Sequence, residues 1–473
     1  MTEPSFNISR KGNQMKNTIK HVSLLALLSL SLRGVADGQS VDPGIAAMNA
    51  EDISVYVESV DGNQRWPWNG LVDIDFTFRC PGYPGAYAFV EMSAFYESAP
   101  GVTNDLPLST LTLNGENLTF PWATTAGTYR VTWDAGKDAP SVNVKNAKYR
   151  VRVNMARYMV LTADKENKKV LKSYLDAPDY KEGTQEWKDE YKTTKMALRL
   201  IQPHSNVVGA ASDEFGYYDT NDSKDGDWVT QRRVSITKPY YIGIFECTRA
   251  QTYAFGMEGG SKPYEEDDMR PRKRPYNSLR GSFANGINWP KTGFRVSDDS
   301  CIGLLRNRAG DNGFDLPTDA EWELAARAGY DTPLNSGLPY TDSNSNRKNL
   351  LGPIAQCQID VTVPKSATPT YQLQVVGLKQ PNRWGLYDCH GNVYEFVLDV
   401  AARNSSTEPV SDPLGAVSDT EASHFRRGGS YDSRYHLLMI GAHRDPNVVL
   451  PDYYKDNDGF RLCWRFPTPE MAD

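Results

Sequence analysis

The sequence predicts an α+β protein in which an all-β sandwich over residues 41–160 precedes a larger, loop-rich α+β region over 193–467. Three observations carry this. Residues from about 51 to 156 repeat apolar and polar side chains with period two, the signature of half-buried strands. A lysine- and acid-rich stretch, 161–192, follows and reads as a connector, with Lys165, Lys168, Lys169, Lys181, Glu182, Glu186 and Lys188. After Met196, Gly, Asn, Asp and aromatic residues dominate and long periodic stretches are few. The composition agrees. With 37 Gly and 26 Tyr in 473 residues, strands, turns and irregular loops are favoured over helical bundles. The chain is long enough for two domains, and 39% hydrophobic against 23% charged residues excludes wholesale disorder. Lys plus Arg is 52 and Asp plus Glu is 59, a net charge of -7 with no dominant basic block. That balance argues against nucleic acid as a partner, because phosphate neutralisation supplies most of such affinity.

The N-terminus reads as a secretory signal over residues 1–36. Lys16 and Lys20 form a positive head, Val22 to Leu32 an apolar run, and Gly34 and Ala36 the small residues a signal peptidase reads. Met15 is a candidate true start, and the mature chain is expected to begin near Asp37. The run is short for a bilayer span, and no other stretch is apolar enough to cross a membrane. An exported protein, periplasmic or extracellular, is therefore expected.

In the first region Val72, Ile74, Phe76 and Phe78 form one alternating set. Tyr129, Val131 and Trp133 form a second, and Tyr149, Val151, Val153 and Met155 a third. Asn114-Gly115, between Leu111-Thr112-Leu113 and Leu118-Thr119-Phe120, is a type I′ hairpin signal. The aromatic segment from Arg65 to Gly70 reads as core or inter-domain packing in preference to a binding edge. No constellation of catalytic groups is present here.

In the second region the mixed charges of 265–274 predict a solvated, self-neutralised loop. Thr318 and Glu321 form a capping box opening a helix whose Trp322, Ala325 and Ala326 share an inward face, ended by Gly329. Asp388 and Glu395 bracket a Gly-Asn turn, where two carboxylates and turn carbonyls can converge on a hard cation such as calcium. Gly428-Gly429 permits close backbone approach, and Arg427 before it can donate to interior carbonyls. Asp456 to Phe466 reads as a turn and a closing strand.

Together these segments resemble the sulfatase-modifying-factor family, whose best-known members are formylglycine-generating enzymes. The motifs appear in the family's order: Glu246-Cys247-Thr248, Leu316 to Glu323, Gly385 to Phe396, Arg427-Gly428-Gly429-Ser430 and Gly459-Phe460-Arg461. The resemblance covers 193–467 and leaves the N-terminal strands outside. It implies a C-type-lectin-like fold, and a calcium site formed by Asp388, Gly391, Val393 and Glu395. It also implies a pocket, kept as a groove lined by Trp384, Arg427, Ser430 and Ser433.

The family's activity, as the resemblance implies it, needs copper on two cysteine thiolates placed shortly after the RGGS motif. Soft thiolates suit Cu(I). Here Ser433 stands at the first position and the second falls near Leu438. No cysteine lies between Cys389 and Cys463. Copper is therefore not expected, and whether the chain is an enzyme stays open. Of the six histidines, His204, His390, His424, His436 and His443 read as satisfied or surface residues, and His21 lies in the signal. Nothing marks Ser433 as a nucleophile elbow for a triad with Asp432 and His436 or His443. The chain is expected to be a catalytically silent binding or structural module for a peptide or glycan. The alternative is an oxidoreductase with a non-standard site that modifies an exported protein.

Overall fold

The structure is a computed structural model. It describes residues 41–50, 53–67, 69–118, 122–140, 146–211, 230–257, 268–273, 279–280, 295–341, 343–358, 372–400, 406–414, 424–433 and 456–466. The signal expected over residues 1–36 lies outside these. The described residues from Asp42 onward belong to one compact unit. It is α+β and rich in strands, with short helices. No described helix is long and apolar enough to cross a membrane.

The first region contains β1 (Tyr56–Gln64), β2 (Leu71–Arg79), β3 (Tyr87–Ala99), β4 (Val102–Leu106), β5 (Leu111–Leu113), β6 (Glu116–Asn117), β7 (Trp122–Thr125), β8 (Gly127–Asp134) and β9 (Lys148–Asn154). One sheet has the order β1-β2-β8-β5-β6. In the other, β3 pairs with β4, β7 and β9. The alternating residues do what their period requires. Val72, Ile74, Phe76 and Phe78 of β2 meet Val131 and Trp133 of β8 and Val151 of β9 in one apolar cluster. Each such buried side chain contributes about 1.5–3 kcal/mol over leaving it in water. Asn114 and Gly115 both take positive φ, 53° and 86°, as the I′ turn between β5 and β6 demands. The aromatic segment departs from expectation. Trp66 is 78% exposed, so it does not serve as core packing; Trp68 lies outside the described residues.

The stretch expected as a connector is largely structure. Within it β10 (Tyr158–Asp164) and β11 (Lys169–Leu175) form a hairpin, and β10 pairs in turn with β12 (Lys195–Ile201). Lys165, Lys168, Lys169, Glu182, Glu186 and Lys188 are exposed, while Leu161 and Val170, with Met159 just before the stretch, enter the core of the second region, and Lys192 at its end is buried. Counting charges hid this alternation. Nor are the two regions fully separate. Phe89 of β3 packs in that same cluster, and the Gln202 amide bonds both the N–H and the carbonyl of Tyr87, at 2.8 and 3.0 Å.

The second region is built on a six-stranded sheet in the order β11-β10-β12-β15-β23-β16, with β15 (Tyr240–Gly243), β16 (Phe314–Asp315) and β23 (Cys463–Arg465). All four residues of β15 are buried because both faces are covered. Tyr241 faces one apolar cluster, and Tyr240 and Ile242 face another. The cluster with Tyr240 takes in α1 (Pro43–Asn49), which precedes β1 in the chain. It also takes in α5 (Asp319–Arg327), numbered after α2 (Ala135–Asp138), α3 (Arg249–Ala254) and α4 (Cys301–Ala309). Smaller ladders complete the region. They are β13 (His204–Val208) with β14 (Arg232–Ile236) and β20 (Val410–Ser411), and β17 (Ala355–Gln356) with β18 (His390–Gly391). The last joins β19 (Tyr394–Val400) to β21 (His424–Arg427) and β22 (Asp458–Gly459). Of the solvated, self-neutralised loop expected at 265–274, the described residues keep the neutralisation, Asp268 with an exposed Arg270, and depart from the solvation. Asp268 and Arg272 are buried, and Asp268 bonds Arg249 and Arg270.

Candidate functional site

Helix α5 positions the site. Thr318 Oγ1 accepts from the Glu321 N–H at 3.1 Å, and Glu321 Oε2 accepts from the Thr318 N–H at 2.7 Å, so the predicted capping box is formed. Ala328, with φ 51°, closes the helix just before Gly329. The helix is buried on every side, charged residues included. Its Trp322 indole N–H donates to Glu395 Oε2 at 2.7 Å. Glu323 accepts from the Gly209 N–H at 2.7 Å and from Arg327 Nε at 2.8 Å, and it also pairs with Arg427.

The Gly385–Phe396 segment is anchored from several sides. Asn382 holds its start. Its Oδ1 accepts from the N–H groups of Trp384 and Leu386 at 3.0 Å, and its Nδ2 donates to the Ala325 and Ala326 carbonyls of α5. Gly391, at φ 95°, must be glycine, because a Cβ there would lie 2.2 Å from the Gln356 carbonyl oxygen. Next to it Asn392 takes φ 58°. Its Nδ2 donates to Glu246 Oε2 at 2.6 Å, and the Val393 N–H donates to Glu246 Oε1 at 3.0 Å. Glu246 is fully buried. Desolvation first, then the charges of Asp388 and Glu395, push its carboxyl well above the usual range. Asp388 accepts from the Gly377 N–H at 2.7 Å, and burial pushes its carboxyl up to about 6.

The residues expected to hold calcium are thus close in sequence but differently engaged. Glu395 is paired with the Arg461 guanidinium, Nε to Oε2 at 2.5 Å and Nη2 to Oε1 at 2.6 Å, in addition to its bond from Trp322. Among the described residues no three His, Cys, Asp or Glu side chains are grouped to hold a metal ion. Gly391 and Val393 are held through their N–H groups, by the Gly428 carbonyl and by Glu246. This donor set does not fit the calcium site that the resemblance implies, because a guanidinium occupies the carboxylate that would contribute most of its charge.

The four residues expected to line a groove are all buried and fall into three places. Trp384 packs in the α1–α5 cluster, and its Nε1 donates to Asn49 Oδ1 at 2.8 Å. Arg427 pairs with Asp319 and Glu323. Ser430 and Ser433 do come together, with Oγ atoms 3.1 Å apart. Ser433 Oγ also accepts from the Ser430 N–H at 2.9 Å, and Ser430 Oγ donates to Asp432 Oδ1 at 2.7 Å. Asn457 completes this knot, its Nδ2 donating to Asp432 Oδ1 at 2.7 Å. Leu438, His436 and His443 lie outside the described residues. All six cysteines are buried and unbridged. Burial pushes the Cys389 thiol up to about 12 and that of Cys463 well above its usual value, so neither is a ready thiolate.

Sequence reasoning missed three participants. Glu246 and Arg461 stood inside recognised motifs without a role, and nothing local in the sequence pairs either with the 385–396 turn. Asn457 sits in the closing turn, a residue type ordinarily read as turn chemistry.

Comparison with known proteins places residues 188–466, more than half of the chain, within the sulfatase-modifying factor enzyme 1-like domain. The chain is 24% identical over 249 residues to Chaperone protein LppX of Paenibacillus barcinonensis, covering 46% of this chain and 82% of that one. It is 31% identical over 157 residues to the formylglycine-generating enzyme of Mus musculus and 29% identical over 160 residues to that of Bos taurus. The match spans only 38% of the length of each of those two enzymes. Among solved structures, Treponema denticola variable protein 1 aligns with a TM-score of 0.39 at 20% identity, over 57% of this chain and 96% of that one. CarF aligns with a TM-score of 0.30 at 20% identity, over 56% and 98%. With its family domain matched from the 188–195 turn to the closing strand, the chain belongs to the sulfatase-modifying factor enzyme 1-like family.

Proposed function

We propose that this chain is an exported member of the family that binds a polypeptide and does not generate formylglycine. Its second region is a C-type-lectin-like domain, and the first is a β-sandwich appended to it. The observation that carries the reading is Ser433. A hard, protonated hydroxyl stands where the family's copper chemistry needs a soft thiolate, and it is already engaged with the N–H and Oγ of Ser430. Cys389 and Cys463, the cysteines that flank this stretch in the sequence, offer no ready substitute, because burial pushes both thiols up. A polypeptide is favoured over a glycan by the relative named a chaperone protein, of which this chain covers 82%. Fold alone does not carry activity across a family.

The test is a peptide assay read by mass. Copper-loaded protein is incubated with a cysteine peptide of the sulfatase type, and the mass loss of thiol-to-aldehyde conversion is sought. No conversion is expected. Turnover by the unmodified protein would establish the oxidoreductase reading instead. Export is tested separately by N-terminal sequencing of secreted material, which should begin near Asp37.

A further inference from the structure

We propose that the guanidinium of Arg461 is the resident cation of the 385–396 turn, so that this chain holds the turn without calcium. The carboxylate of Glu395 is already occupied. Both oxygens of Glu395 face Arg461, at 2.5 and 2.6 Å, and one of them also accepts from Trp322 at 2.7 Å. A carboxylate offers about four acceptor positions, and three are taken here. Calcium needs six to eight oxygens at about 2.3–2.6 Å, and it would have to share this carboxylate with a permanent positive charge.

Arg461 also reaches beyond Glu395. Its Nη1 donates to the Gly243 carbonyl and its Nη2 to the Tyr387 carbonyl, each at 3.0 Å. One cation thereby ties β15, the residue before Asp388, and β19, which is the work a bound ion does in a loop-rich fold. The turn, moreover, is shaped by its own residues. Gly385, Asp388, Gly391 and Asn392, with φ of 85°, 56°, 95° and 58°, are types that accept the left-handed region. Glu246 secures Asn392 and Val393 from the opposite side. The pairing is fully buried, with Arg461 and Glu395 side chains 1% and 0% exposed.

The full chain decides the matter. Metal content of the purified protein is measured by mass spectrometry, and thermal melts are run in chelator and in millimolar calcium. Substoichiometric calcium and one melting temperature in both buffers are expected. One calcium per chain, or a fall of several degrees in chelator, would overturn the proposal, since a ligand bound only to the folded state raises its melting temperature. Glu395→Gln, Arg461→Gln and the double variant supply a second measurement. Each single variant strands one buried charge and should melt several degrees lower in either buffer. The double variant strands none and should recover part of that loss. Strictly additive losses would mean that Glu395 serves something other than Arg461. Should the variants fail to fold, the native chain's metal content and melts decide alone.

Discussion

The two-sheet region and the loop-rich region use their arginines in opposite ways. Around the first, ion pairs lie outside. Arg130 and Asp75 side chains are 63% and 30% exposed, and Arg65–Asp73, Arg79–Glu58 and Lys148–Glu97 are similarly wet. In the second most arginine pairs lie inside, with Arg270–Asp268 at the surface as an exception. Arg280 and Arg306 share Asp315, Arg465 pairs with Glu321, Arg426 with Asp458, Arg461 with Glu395, and Arg327 and Arg427 converge on Glu323. Backbone accounting explains the difference. A regular ladder satisfies its own N–H and C=O groups, so its core needs only apolar side chains. A loop-rich interior leaves carbonyls that no ladder reaches, and arginine, with five N–H donors, reaches them. Arg461 serves Gly243 and Tyr387, Arg327 serves Thr332 and Gly209, Arg306 serves Phe314, and Arg465 serves Leu316. Each of these four guanidiniums also faces a buried carboxylate.

The largest effect should come from removing one such carboxylate. Glu323→Gln strands the buried guanidinium of Arg327 and leaves that of Arg427 with Asp319 as its carboxylate partner. Breaking a buried pair from one side costs about 3–5 kcal/mol. Urea denaturation should show that loss. A change no larger than that of a surface substitution would mean that the arginine network is not what holds the second region.

What was legible in the sequence follows the same division. Period-two text and a Gly-containing turn are local signals, so β2, β8, β9 and the Asn114-Gly115 hairpin could be read directly. The capping box at Thr318 and Glu321 is local too. The β10–β11 hairpin was obscured because charges on its exposed positions outweighed the alternating Met159, Leu161 and Val170. Of the candidate site, the motifs were legible but their partners were not. Glu395 meets Arg461 across 66 positions, and Asn392 meets Glu246 across 146. No periodicity spans such separations. The carboxylates of a resembled metal site look the same in sequence whether an ion or an arginine faces them.

A second, intermediate effect concerns pH and again separates the regions. The first region contains no histidine, whereas the second buries His204 and His424. His424 Nδ1 lies 3.0 Å from the Leu398 carbonyl, and burial, aided by the charge of Arg280, pushes its imidazole down to about 3. His204 is lowered as well, chiefly by burial. A histidine held below its unfolded value of about 6.5 binds fewer protons folded than unfolded. Such a contribution is therefore intact above about pH 6.5 and is lost as pH falls below it, for His424 down to about 3, by up to about 1.4 kcal/mol per pH unit. Urea midpoints at pH 7 and pH 4.5 should show this decline in the native chain. His424→Asn, whose amide can still donate to Leu398, should make it shallower. An unchanged decline would place the acid sensitivity on carboxylates elsewhere.

The smallest effect is expected where the ion pairs are wet. Arg130 bonds both oxygens of Asp75, Nε at 2.6 Å and Nη2 at 2.7 Å, a geometry as good as that of Arg461 with Glu395. Geometry alone would rank the two pairs together. Environment separates them, because water solvates the partners of a broken surface pair, and the intact pair also carries the entropy cost of fixing two long side chains. Arg130→Ala should therefore leave the urea midpoint unchanged within the scatter of the measurement, and added salt should leave the native chain and the variant equally stable. A loss approaching that of Glu323→Gln would show that the β2–β8 sheet depends on its outer charges as the loop-rich region depends on its inner ones. The backbone account of the difference would then fail, since β2 pairs with β8 along eight positions, from Leu71 with Asp134 to Phe78 with Gly127, and with β1 on its other edge, so its N–H and C=O groups already have ladder partners.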